Sequence, residues 1–189
     1  MITSYIDYVA YLEADRVALN QKRTIRALLL SDGWRFQRLM RKVEYLTNTK
    51  KGRFRRLLAA FRYRQLGKQL GFTIPINVFG PGLSIAHRGT IVVNGGARVG
   101  ANCRLHVCVS IGTKAGKGSD APQIGDNCYI APGAKLFGPI ILGDNMVIGA
   151  NAVVNKSFPE GNATIGGVPA KRISGKTSEG LLVRGWKGA

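Results

Sequence analysis

From Gly80 onward an aliphatic residue returns every six positions: Val93, Val99, Leu105 and Ile111, then Ile124, Ile130, Leu136, Leu142, Ile148 and Val154. Glycine or another small or polar residue follows most of them, as at Gly100, Gly112, Gly125, Ala131, Gly143 and Gly149. Four places after the aliphatic stands a small or modest apolar side chain: Ala97, Cys103, Val109, Cys128, Ala134, Ile140, Met146 and Ala152. A period of six fits neither a helix nor an isolated strand. It suits a three-sided coil in which three hexads, about 18 residues, make one rung and the aliphatics stack inward. Small residues, Gly, Asn and Asp then serve the corners, where the backbone needs freedom. The phase slips once, because Ile111 and Ile124 stand 13 apart where two hexads would give 12. The polar, glycine-rich KAGKGSDAPQ predicts a loop protruding there. The pattern breaks at GGVPAKRI, near Gly166–Arg172, and residues 174–189 carry no strong signal.

Before the coil the spacing is helical. Ser4 or Thr3 caps a predicted first helix through Tyr5, Tyr8, Val9, Leu12 and Leu19. Asp32 opens a second through Trp34, Leu39, Val43 and Leu46, closed at Asn48 or Thr49. A third runs from about Lys51 to Gln69, with Phe54, Leu57, Leu58, Phe61 and Leu66 at helical spacing and Gly71 as its stop. Three parts are therefore expected: a basic α-helical extension over 1–71, a mainly β coil over 72–173, and a tail over 174–189.

The chain carries 28 Lys and Arg against 10 Asp and Glu, a net charge of +18. Of these, 16 basic and 5 acidic residues lie in the first 71, so the helices hold +11. Such a charge implies a polyanionic neighbour without naming it. Nucleic acid is not the expected one, because no aromatic–basic surface motif appears and it would leave the repeats unexplained. The opening MITSYIDYVAYLEADR has no basic leader before an apolar run, and the three cysteines form no CxxC pair. A cytoplasmic, reduced protein is the expectation, with Cys103, Cys108 and Cys128 as packing residues. A metal is not expected: with two histidines in all, His87 and His106, the three-histidine site of a γ-type carbonic anhydrase is excluded.

The segments LSIAHRGTIVV, CVSIGTKAGKG, PQIGDNCYIAPGAKLFGPIILGDNMVIGANAVV and GGVPAK together resemble the hexapeptide acyltransferases, in particular the serine acetyltransferase branch. The resemblance covers roughly residues 72–173 and implies a left-handed parallel β-helix with an α-helical amino-terminal extension. It also implies an acetyl-CoA-dependent O-acetyltransferase, assembled as a homotrimer or a multiple of three, with acyl-CoA in the groove between neighbours. His87, in IAHRGT, matches the segment in which a histidine is the general base; a surface or packing histidine is the other reading. An alcohol loses its proton at neutral pH only with such help, typically worth ~10²–10⁴-fold. His106, 19 residues on, is expected to stack near His87 and shape the acceptor site, or else to serve a corner. By the same resemblance Gly112, Thr113, Pro132, Ala150 and Lys171 line the CoA groove. The Gly112–Thr113 backbone is then the candidate donor to the oxyanion, and Lys171 with Arg172 meets CoA phosphates.

The chain departs from that branch around the acceptor. Serine acetyltransferases place an aspartate directly before the histidine, where this chain has Ala86, and another about fifteen residues earlier, where it has Phe72. Their loop carries an Arg-His pair before its proline, and here Asp120 and Ala121 stand there. Serine is a zwitterion that wants a cation for its carboxylate and an anion for its ammonium. IPINVFGPGLSIAHRGTIVVN also looks like sugar O-acetyltransferases of surface-polysaccharide pathways. The expected acceptor is therefore a sugar hydroxyl, with L-serine, on the route to cysteine, as the alternative. Asp120 would face the acceptor, and Asn77 is a candidate substitute to orient His87. The basic third helix is expected to pack its apolar face inward or on a partner chain. Its cations then face water, or an anionic membrane at the cytoplasmic leaflet.

Overall fold

The computed structural model describes residues 1–115 and 120–188. Four helices come first: α1 Tyr5–Ala18, α2 Ile25–Leu30, α3 Asp32–Asn48 and α4 Arg53–Leu70. Among the described residues fourteen short strands follow, in three flat faces. One face holds β1 Phe72–Thr73, β3 Ile91–Val93, β6 Ser110–Gly112, β9 Lys135–Phe137 and β12 Val153–Val154. The second holds β4 Arg98–Val99, β7 Gln123–Ile124 and β10 Ile141–Leu142. The third holds β2 Ser84–Ile85, β5 Arg104–Leu105, β8 Tyr129–Ile130, β11 Val147–Ile148, β13 Thr164–Gly166 and β14 Lys171–Ser174. All pairings but the last are parallel, so the chain visits each face once per turn and climbs. These faces will be called first, second and third.

The six-residue stations all point inward. Every aliphatic from Val93 to Val154 is buried, as is every small residue four places on, from Ala97 to Ala152. Register fixes the stacking: Ile111 faces Leu136, which faces Val154, and Ile130 faces Ile148. It also corrects the reading of the phase slip. Val99 faces Ile124 across 25 positions, and Ile124 faces Leu142 across 18. Ile124 is therefore the very next station after Ile111, and the excursion adds seven residues to a single hexad. Residues 116–119 of the expected loop lie outside the described residues.

Between the second and third faces Asn102, Asn127, Asn145 and Asn162 turn the corner at φ of 54°, 55°, 58° and 48°. Asparagine tolerates this left-handed geometry better than most residues. Each of the first three donates its side-chain N–H to the next at 3.0 Å, a ladder along the corner. The coil ends in a hairpin, β13 against antiparallel β14. The tail then returns over the ladder. Ser178 Oγ donates to the Asn127 carbonyl at 2.5 Å, and Trp186 N–H donates to Asn102 at 2.8 Å.

The helices sit on the first turns. Ser4 and Asp7 form a reciprocal capping box at α1, and Gly71 ends α4 at φ 77°. The helix α2 was not expected; it is one and a half turns with no buried residue. Gln37 of α3 clamps β2 with both ends of its amide, donating to the Leu83 carbonyl at 2.7 Å and accepting from Ile85 N–H at 3.1 Å. At Gly67 a Cβ would stand 2.9 Å from the Phe72 carbonyl, so α4 can lie this close to β1 only with glycine there. Phe36, Met40, Leu66 and Leu70 join the inward residues of the coil in one apolar cluster. Arg41 lies fully buried in that junction. It donates to Asp15 at 2.8 Å, to Glu44 at 3.0 Å, and to the carbonyls of Phe79 and Gly80 at 2.9 and 2.6 Å.

Two expectations change. Cys103 and Cys128 are inward packing residues, but Cys108 is exposed on a corner at φ 61°. The outer apolar face of α4 does not pack inward: Phe54, Leu57, Leu58 and Phe61 are exposed on the single chain, and the seat of the helix on the protein is Ala59, Leu66, Gly67 and Leu70.

Candidate active site

The corner from the third face to the first gathers both histidines. Their rings lie 6.0 Å apart, centre to centre. Ile85 faces Leu105 twenty positions on, two more than the 18 of a regular rung, so His106 stands level with Ala86, next to His87. His87 is exposed, whereas His106 is buried, 4.9 Å from the Tyr129 ring. Arg104 Nε donates to His106 Nε2 at 3.4 Å. Burial, then the Arg104 charge, then His87 push the His106 pKa below its ordinary value. Its imidazole is accordingly neutral at pH 7.

A cavity of about 330 Å³ opens beside His87, under the start of α3. Its wall includes Asp32, Ser84, His87, Arg88 and Arg104. Asp32 is flanked by Arg35 at 3.6 Å and Arg88 at 3.8 Å, long and exposed contacts that leave these groups available to a ligand. Ser84 is buried, and its hydroxyl finds no hydrogen-bond partner among the described residues. An orphaned hydroxyl in a cavity wall is what a bound polar group would satisfy. This cavity therefore offers an imidazole, a carboxylate, two guanidinium groups and an unmatched hydroxyl.

Pro132 and Ala150 are exposed on the same corner as the histidines, one and two rungs further on. Gly112 and Thr113 stand at the opposite end of the first face, where the chain leaves β6. Among the described residues, apart from its own chain neighbours, no heavy atom lies within 4 Å of where a Gly112 Cβ would be, so a ligand can approach the backbone there. Lys171 is exposed in β14, opposite Gly166. Asp120 is half-buried where the loop rejoins the coil.

Asn77 is placed elsewhere. It exchanges amide hydrogen bonds with Asn48 of α3 at 2.9 Å in both directions, and its N–H donates to Glu44 at 2.8 Å. The amide proposed to orient His87 is thus committed to the helix–coil junction. Phe72 is core, edge-on to Phe36 at 5.0 Å, so that position supplies no polar group either. Asp32, Ser84, Arg88 and Arg104 were not anticipated as site residues. Arg104 carried one usable signal, its outward place on the strand leading to His106; for Asp32 only the folded chain brings a residue 55 positions away to His87.

Residues 121–156 match the family model described as bacterial transferase hexapeptide (six repeats). The serine acetyltransferase of Staphylococcus xylosus is 40% identical over 88 residues, 46% of this chain and 40% of that protein. That of Mycobacterium tuberculosis strain H37Rv is 37% identical over 100 residues, 52% of this chain and 43% of that one. The chain spans about half the length of the curated relatives it matches. Among solved structures, serine acetyltransferase from Brucella abortus strain S19 superposes with a TM-score of 0.73 at 26% identity, covering 92% of this chain and 72% of that one. The Neisseria gonorrhoeae enzyme in complex with serine gives 0.71 at 28%, covering 90% and 71%. The coil is thus a left-handed parallel β-helix. In sequence and fold the chain is similar to the hexapeptide-repeat transferases, and among them to the serine acetyltransferases.

Proposed function

We propose that the chain is an acetyl-CoA-dependent O-acetyltransferase whose base is His87 and whose acceptor, by its likeness to the serine acetyltransferases, is L-serine. The observation that carries the acceptor is the cavity beside His87. Arg88 and Arg104 can meet a carboxylate and Asp32 an ammonium, the two charges a free amino acid brings. That offsets the loss of the cationic loop pair, for which Asp120 and Ala121 stand here. A sugar hydroxyl is the second reading, favoured by Phe72 and Ala86, which leave no acidic residue at the positions that frame the histidine in serine acetyltransferases.

In this mechanism the thioester is already activated and the protein supplies position. His87 takes the hydroxyl proton as the oxygen attacks the thioester carbonyl. Backbone N–H near Gly112–Thr113 faces the developing oxyanion. The carbon–sulfur bond then breaks, and the imidazolium returns its proton to the CoA thiolate. The open backbone at Gly112 fits a thioester arm passing close. Exposed Lys171 and Arg172 fit its phosphates, with Pro132 and Ala150 along the path. Three copies, or a multiple of three, share the groove. Among the described residues no helix is long and apolar enough to cross a membrane, and no cluster of His, Cys, Asp or Glu is arranged to hold a metal. The same reading has the protein in the cytoplasm, in peripheral contact with the inner face of the membrane.

The test is an acceptor screen with acetyl-CoA and free-thiol detection. Saturable transfer to L-serine, lost in Asp32→Asn and Arg104→Met, supports the leading reading. Transfer to nucleotide- or lipid-linked sugars with serine inert overturns it in favour of the second.

A further inference from the structure

The helix α4 has two apolar faces. At about 100° per residue, Phe54, Leu57, Leu58 and Phe61 form one narrow ridge, and Ala59, Leu66 and Leu70 point roughly the opposite way. The second set is buried on α3 and the coil. The first faces water, at 78, 58, 41 and 59% exposure. Arg53 and Arg64 flank the ridge on one side and Arg55 and Arg62 on the other, all exposed. From Tyr45 to Ser119 the sequence holds no Asp or Glu.

We propose that this ridge is a docking surface for an anionic lipid bilayer, with the phenylalanines and leucines entering the interface and the arginines meeting lipid phosphates. It gives a location to the membrane contact inferred above and does not depend on the acetyl-transfer chemistry. An apolar stripe lined by cations is the pattern of a helix that lies in a membrane surface. A second copy of the same face would bring arginines against arginines. A nucleic-acid backbone would engage the arginines and leave four large apolar side chains in water. Of these three occupants, the anionic lipid surface is the one that uses both parts of the pattern.

The full chain should float with vesicles of three parts phosphatidylcholine to one of phosphatidylglycerol at low salt and detach at high salt. Pure phosphatidylcholine should recover far less. Arg55→Gln with Arg62→Gln removes two cations and should weaken binding about 30-fold. Phe54→Ser with Phe61→Ser should weaken it at least ~10-fold, while Arg98→Gln, on the second face of the coil, leaves it unchanged. In Phe54→Trp, whose added indole lies on the ridge, emission should shift blue on anionic vesicles, which separates insertion from mere charge attraction. The proposal is overturned if wild type ignores lipid charge, if the serine pair binds as wild type does, or if that pair instead lowers the oligomeric state. Retention on duplex DNA with no flotation likewise overturns it. None of these readings needs acyl donor or acceptor, so a failed acetylation assay leaves the result intact.

Discussion

His87 and His106 share a corner, yet their surroundings assign them different work. His87 is exposed at the mouth of the cavity, where a hydroxyl can reach it. Replacing it with alanine should leave the fold and CoA binding intact and lower turnover by at least ~10²-fold. Near-normal turnover on the true acceptor would sink the proposed role. His106 is the buried partner, with its pKa depressed by burial first and then by Arg104 and His87. The sign of the consequence is fixed. Below pH ~6.5 the unfolded chain takes up the proton that the folded imidazole refuses. Stability from this group is complete above that pH, falls as pH drops toward the lowered folded value, and then levels off. His106→Gln should therefore flatten the decline in urea midpoint between pH 7.5 and 5 relative to wild type; superimposable profiles would show that His106 does not titrate as described. His87 could be singled out in the sequence as a candidate because it sits in the IAHRGT segment. Asp32 and Arg88 were not, since no local spacing announces that the start of a helix will close over a coil corner. Asn77 misled because an exposed-looking turn asparagine proved to be bonded to α3.

At the scale of elements, a period of six was enough to read the coil, because each station takes an inward aliphatic: a smaller residue would leave a void and a polar one a buried group without a partner. The helices α1, α3 and α4 were legible through caps and apolar spacing. The short α2 lacks both a buried face and length, and helices under about 12 residues owe little to intrinsic propensity. What joins helices to coil was hidden, for it is polar. Burial pulls the Arg41 pKa down, but Asp15 and Glu44 outweigh it and hold the pKa above the ordinary arginine value. Asp15 accepts from Leu83 N–H at 2.9 Å, and Glu44 accepts from Asn77 N–H, so the ion cluster also carries the first turn of the coil. Arg41→Met leaves two carboxylates buried without their cation. It should cost about 3–5 kcal/mol in urea unfolding, and a loss below ~1 kcal/mol would mean that the junction is held by its apolar contacts instead.

For the molecule as a whole, the proposed site residues fall on two different edges of one prism. His87, His106, Pro132 and Ala150 belong to the corner between the third and first faces, and Gly112 and Thr113 to the corner between the first and second. Flat faces and edges of a short solenoid invite side-by-side assembly, and packing copies edge to edge would place the histidine corner of one against the Gly112 corner of the next. Light scattering should then report three chains or a multiple of three. Complementation tests the sharing of sites directly. His87→Ala removes the base from one edge. Gly112→Phe fills space that is open among the described residues, where no atom beyond the chain neighbours stands within 4 Å of a Cβ, so the chain should fold while the groove is blocked. Each variant alone should be inactive. Mixed, dissociated and reassembled together, they should regain part of the wild-type rate, because some interfaces will join an intact histidine edge to an intact Gly112 edge. Recovery requires that a site draw on two chains. No recovery from reassembled trimers, or an active stable monomer, would place the whole site within one chain and remove the reason for the assembly.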